Sequence, residues 1–323
     1  MISFIGNVKN AGKTTVLNSV VKSYNHSVII TSIGLDGENI DQVTLMEKPQ
    51  IYVRENDIVA TAKDTLKQFE AEYQMIEETN IFTAIGNIVI CKIIKPGKVL
   101  VAGPSLVTDM SLLIDVLKEK YDHKILIDGA FFRQSFASVS ETCILVIGSN
   151  ISIDMDYTVE QASLIYKKLT LPSIPTEYKW VKNEKNISMI KTDKKYILDS
   201  DSVIGHVDQI LNKSNHDLKM LYLPKSLTDE FVEKWIHQIK YFHFDLILKS
   251  GINIQLSDQN LKNLFRLKTH IYVENPIDVS IVCINPFSPR GYEYDQSTFK
   301  EKLSLAINRK VINVKEGEHN EQT

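Results

Sequence analysis

Residues 6–15 read GNVKNAGKTT. They lie between the apolar run ISFI at 2–5 and a segment in which Val16, Leu17, Val20 and Val21 recur at helical spacing. A strand that feeds a glycine-bearing turn opening a helix is the setting in which G-x-x-x-x-G-K-[ST] wraps a phosphate. Backbone N–H groups and the helix N-terminus meet the anion, the lysine reaches the outer phosphate oxygens, and the hydroxyl faces a divalent cation. Gly12, Lys13 and Thr14 match the second half of that pattern, whereas the first glycine position falls on Asn7, with Gly6 one residue early. Asn adopts a left-handed backbone more readily than most non-glycine residues, so Asn7 is expected to serve the turn. Gly6, Asn7, Lys9, Asn10, Ala11, Gly12, Lys13, Thr14 and Thr15 are therefore the expected nucleotide-binding residues, and Thr14 is also an expected Mg2+ ligand.

Outward from the loop, short apolar runs alternate with helix-period segments, as in βα units of a mostly parallel sheet. Strands are predicted at 2–5, 27–31, 99–102, 124–127 and 143–147, with helices at 13–24, 106–120 and 156–169. The stretches 50–62 and 85–95 read as antiparallel insertions, and 64–78 has the apolar spacing of an amphipathic helix. The prolines at 172 and 175 suggest a boundary. The expected fold is thus α/β: a P-loop-type, mostly parallel sheet over 1–172, with helices on both faces and a β-rich insertion at about 50–98. A smaller α/β domain over 176–323 would follow. Its strands are predicted at 219–223, 245–248, 269–273 and 280–284, and a helix at 228–241.

A divalent ion bridging phosphates needs a carboxylate at the end of a neighbouring strand. Asp128 closes the apolar run KILI and precedes Gly129, and is expected to hold Mg2+. Asp36, in TSIGLDGE at 31–38, is placed where a loop could cover the outer phosphate and position water or metal. Both are candidate catalytic residues, and Arg133 reads as a surface residue. Asn-Lys-x-Asp, the usual guanine reader, is absent, which favours ATP over GTP. The histidines have no zinc-ligand spacing, and G-x-S-x-G is missing.

The net charge is -3, with 43% hydrophobic and 24% charged residues. This balance describes an ordinary globular chain and gives no general attraction to nucleic acid or anionic membranes. Three cysteines, each in an apolar run, read as buried and reduced, and no apolar run reaches membrane-spanning length. A cytoplasmic setting is expected, with no nucleic-acid or membrane partner.

Several further stretches, TSIGLDGE at 31–38, ATAKDTL at 60–66, LVAGPS at 100–105, LIDGAFFRQSFA at 126–137 and INPFSPRGY at 284–292, together resemble one family. It is the smaller component of the reactivating factor for lysine 5,6-aminomutase and related adenosylcobalamin-dependent aminomutases, and the resemblance runs through both halves. It implies a P-loop ATPase with a chaperone-like role, acting with a larger ATPase subunit to exchange damaged cobalamin on an inactivated B12-dependent aminomutase. The loop alone also resembles the adaptor of molybdenum-cofactor guanylylation, although the two-domain length argues against that. Two further readings stay open: a small-molecule kinase or ligase, and a module that holds nucleotide without hydrolysing it.

Overall fold

The computed structural model describes residues 1–34, 50–129, 141–192, 194–214, 217–239, 243–267 and 269–313. The chain divides into two units: Met1–Val159 together with the chain from Val279 onward, and Glu160–Asp278. The break expected near residue 172 is therefore not where contacts separate, and the second unit is an insertion between parts of the first.

In the first unit the order is β1 (Ile2–Gly6), α1 (Lys13–Ser23), β2 (Val28–Ser32), β3 (Ile51–Val53), β4 (Ile58–Ala62), β5 (Glu72–Thr83), β6 (Gly86–Lys95), β7 (Gly97–Val99), α2 (Val107–Lys120), β8 (Lys124–Asp128) and β9 (Thr142–Gly148), after which α3 (Met155–Leu169) runs from the first unit into the inserted one. The inserted unit contributes β10 (Ser188–Lys191), β11 (Lys194–Ile197), α4 (Val207–Lys213), β12 (Leu218–Leu223), β13 (Leu227–Thr228), α5 (Asp229–Ile239), β14 (Asp245–Leu248), β15 (Ile254–Gln255), α6 (Asp258–Arg266) and β16 (His270–Val273). The chain then returns through β17 (Val279–Asn285), α7 (Gln296–Ile307) and β18 (Val311–Asn313).

The first unit is built on a nine-stranded sheet of order β18-β17-β9-β1-β8-β2-β4-β6-β5. The pairs from β18 to β4 are parallel, and β6 and β5 continue the sheet antiparallel. The central strands read as unbroken apolar runs because both faces are covered. Val28, Ile30 and Leu126 pack with Val16, Leu17 and Val21 of α1, whereas Ile29, Ile125 and Ile127 pack with Met110, Leu113 and Leu117 of α2. Successive strand residues point to opposite faces, so α1 and α2 cover opposite sides. β1 lies where the strand order diverges, towards β2 and β4 on one side and β9, β17 and β18 on the other. In open α/β sheets the crevice at the carboxyl ends of such strands takes the ligand.

Two local expectations are corrected. Residues 64–78 form no helix: a 3-10 turn, Lys63–Gln68, leads into β5, the edge strand of a hairpin with β6. Half-covered on one face, β5 leaves Met75, Ile76 and Phe82 exposed, so its apolar residues do not mark a helix face. Of 99–102 only Val99 is in a strand, and that strand pairs with β3 outside the main sheet. Ala102 is instead tied to β4, donating its N–H to Thr61 Oγ1 and accepting from Ala62 N.

The inserted unit has a five-stranded sheet, β11-β10-β12-β14-β16, in which β12, β14 and β16 are parallel. Its core packs Leu221, Leu246, Phe231 and Trp235 together with Phe244 and Leu264.

Candidate functional site

Gly6 ends β1 opposite Val146 of β9, and the chain then leaves the sheet. Asn7 N–H donates to Val146 O at 3.1 Å. Its side chain grips the next turn: Asn7 Oδ1 accepts from Gly148 N at 2.9 Å, and Nδ2 donates to Gly148 O at 3.4 Å. Asn7 is buried and its φ is not positive; the left-handed positions are Asn10, φ 60, and Gly12, φ 97. The expectation that Asn7 relieves a left-handed turn is thus corrected. Its carboxamide satisfies backbone groups that would otherwise be stranded in a buried place.

A second clamp follows, with Asn150 Nδ2 donating to Lys9 O at 2.5 Å. The segment holding the loop is itself held, since Tyr292 OH donates to Ser149 O at 2.8 Å and to Ser152 O at 2.6 Å. Gly148 has no room for a side chain: a Cβ would meet Ala11 Cα and Asn150 Oδ1, each at 2.7 Å. Asn285, the last residue of β17, packs over Gly12, where a Cβ would meet its Nδ2 at 3.0 Å.

Gly12 caps α1 without a side-chain hydrogen bond, and no acidic residue lies in the first turn. Backbone N–H groups in the first turn of a helix have no intrahelical partners and carry the positive end of its dipole. Thr14 is buried in that turn, Thr15 is exposed, Ala11 is buried beneath the loop, and Lys9 is exposed at its tip.

Asp128 ends β8, beside Phe4 of β1 and Ser32 of β2. Its backbone is fixed, because its carbonyl accepts from Ile33 N at 2.9 Å and Ser32 Oγ at 3.2 Å. Its carboxylate is not satisfied: Oδ1 is buried with no hydrogen-bond partner. Lys13 has no ion pair or side-chain hydrogen bond among the described residues, yet Asp128 is the charge it feels. Burial pushes the Lys13 ammonium down and the Asp128 carboxyl up, and in each case the other's charge opposes the shift.

Asp57, which is fully buried, makes the contrast with Asp128, of which one carboxylate oxygen is buried. It accepts from Val28 N at 2.9 Å, Arg54 N at 2.8 Å and the Arg54 guanidinium at 3.2 Å, as a carboxylate with a structural task does. Buried polar groups without partners are costly and rare in a finished core. Here several gather at one end of one sheet: Asp128 Oδ1, Thr31 Oγ1, Ser149 Oγ and Asn150 Oδ1. A bound cation and anion would satisfy such a set. Lys13 and the first turn of α1 suit phosphate, while the Asp128 carboxylate and Thr14 hydroxyl suit a hard divalent ion that keeps waters and phosphate oxygens as its other ligands.

The fold therefore places Lys13 and Thr14 in the first turn of α1, which follows β1, and Asp128 at the end of β8, the strand paired with β1. Asp36 and Arg133 lie outside the described residues. Asn150, Ser149 and Asn285 were not singled out as site residues by the sequence, although a Ser-Asn pair just past the apolar strand TCILVIG and an Asn before proline at the end of another are the available signals. Among the described residues there is no cluster of three or more His, Cys, Asp or Glu able to hold a metal, and no helix is long and apolar enough to cross a membrane. No protein-family model, curated protein or solved structure matches the chain.

Proposed function

We propose that the first unit is a P-loop-type ATPase that binds Mg-ATP at the carboxyl ends of β1, β8 and β9. The observation that carries this reading is a charge pair without direct partners: Lys13 at the start of α1 and Asp128 at the end of β8 feel each other's charge, and neither is directly partnered among the described residues. Two opposite charges left without direct partners are suited to a ligand that supplies the complement of both. Lys13 would hold the outer phosphates and the first-turn N–H groups of α1 the inner ones. Thr14 and Asp128 would hold Mg2+, which neutralises phosphate charge when bound. The clamps from Asn7 and Asn150 preform the loop, so little ordering remains to oppose binding.

The stretches quoted above support a role as the smaller, ATP-dependent and chaperone-like component that reactivates a B12-dependent aminomutase with a larger ATPase subunit. The test has two arms. Calorimetry with ATP in Mg2+ and in EDTA should give Mg-dependent binding that Asp128→Asn removes; metal-independent binding would sink the metal assignment. Incubation with a cobalamin-inactivated aminomutase, the larger subunit and ATP should restore turnover, and no recovery would sink the reactivating role.

A further inference from the structure

In the inserted unit a cavity of about 280 Å³ opens beside β16, between the end of α3, the end of α6 and residues 171–172. It exists because the chain covering the sheet edge departs early. Val273 N–H donates to Pro172 O and Ile174 N–H to Val273 O, so pairing is confined to one end of the strand, and the edge beside His270 and Tyr272 is left facing a hollow.

The walls are of two kinds. Leu171, Pro172, Phe265 and Tyr272 form an apolar lining, as in sites for small organic molecules. The polar groups are few and convergent. Thr269 is 9% exposed and its hydroxyl is buried without a hydrogen-bond partner. Lys167 Nζ stands 4.4 Å from the centroid of the Phe265 ring, poised over the apolar wall. His270, a further lining residue, pairs Nδ1 with Asp245 Oδ1 at 3.1 Å, and Tyr178 OH donates to the other Asp245 oxygen at 2.9 Å.

We propose that this cavity binds a small organic carboxylate with a flat apolar body, its carboxylate taken by the Lys167 ammonium and the Thr269 hydroxyl and its body stacked against Phe265 and Tyr272. The ammonium supplies charge, the unpartnered hydroxyl supplies a donor that burial otherwise wastes, and the volume lies at the small end of ligand pockets. This site is separate from the nucleotide reading and does not depend on it.

The probe is 2-naphthoate, followed by its fluorescence on the full chain, with 2-naphthylmethanol as the uncharged analogue. Saturable one-site binding is expected, with the alcohol about tenfold weaker because it lacks the charge-assisted bonds. Lys167→Met and Thr269→Val should each weaken naphthoate severalfold, whereas Thr269→Ser should retain it. Lys167 is exposed, so Lys167→Met leaves the fold intact and decides the matter if Thr269→Val does not fold. Absence of saturable binding, equal binding of acid and alcohol, or an affinity unmoved by Lys167→Met would overturn the proposal.

Discussion

Asn7 and Gly148, separated by 141 residues, are joined by two hydrogen bonds from one carboxamide, which receives the Gly148 N–H at 2.9 Å and donates to the Gly148 carbonyl at 3.4 Å. Through this contact the end of β9 shapes a loop that the sequence would assign to β1 and α1 alone. Asn7→Ala leaves both backbone groups buried and unmatched. It should cost about 1–3 kcal/mol of stability, read by denaturant unfolding, and should also lower Mg-ATP affinity because the loop is no longer preformed. Unchanged stability would mean that the backbone groups find other partners.

Gly148→Ala tests the same junction by crowding. The added methyl would sit 2.7 Å from Ala11 Cα, a backbone atom with little freedom to yield. The expected cost is about 1–3 kcal/mol, with a raised Kd for Mg-ATP. A variant with wild-type affinity would show that the loop can shift without consequence.

The pH dependence of binding follows from Asp128. Burial raises its carboxyl, so protons should compete with Mg2+ at a higher pH than they would at an ordinary carboxylate of pKa ~3.9. Mg-ATP affinity should fall on acidification before that range is reached, and Asp128→Asn should flatten this part of the profile. For stability the sign is opposite to that of a salt-bridged acid. Burial in the fold favours protonated Asp128, so this contribution is present below the unfolded value and is lost as pH rises through the folded one. A binding profile flat down to pH ~4 would remove Asp128 from the metal site.

What was legible in the sequence followed local physics. Runs such as KILI and TCILVIG are apolar because their strands are covered on both sides, and GKT sits between a strand and a helix whose periods differ clearly. What was not legible depended on distant partners. Residues 64–78 carry apolar side chains at a spacing that suits a helix, but β6 recruits 72–83 as an edge strand. β17 reads as part of a second domain, yet it pairs with β9, from which the inserted unit separates it in sequence, from Val279 with Cys143 to Asn285 with Gly148. Lys13, Thr14 and Asp128 could be singled out from the sequence because the chemistry proposed for them restricts their residue types. The task of Asn7 was not, because its partner is the backbone of a residue on another strand.

The central claim is that Lys13 and Asp128 frame a phosphate and metal site. Its most direct test is calorimetric titration of Mg-ATP into the wild-type chain and into Lys13→Ala, with folding of both verified by circular dichroism. Removing a charge-assisted contact of this kind costs about 1.5–3 kcal/mol, so the account predicts saturable wild-type binding and a loss of roughly tenfold or more in the variant. Equal affinity of the two proteins, or no binding by either, would contradict it.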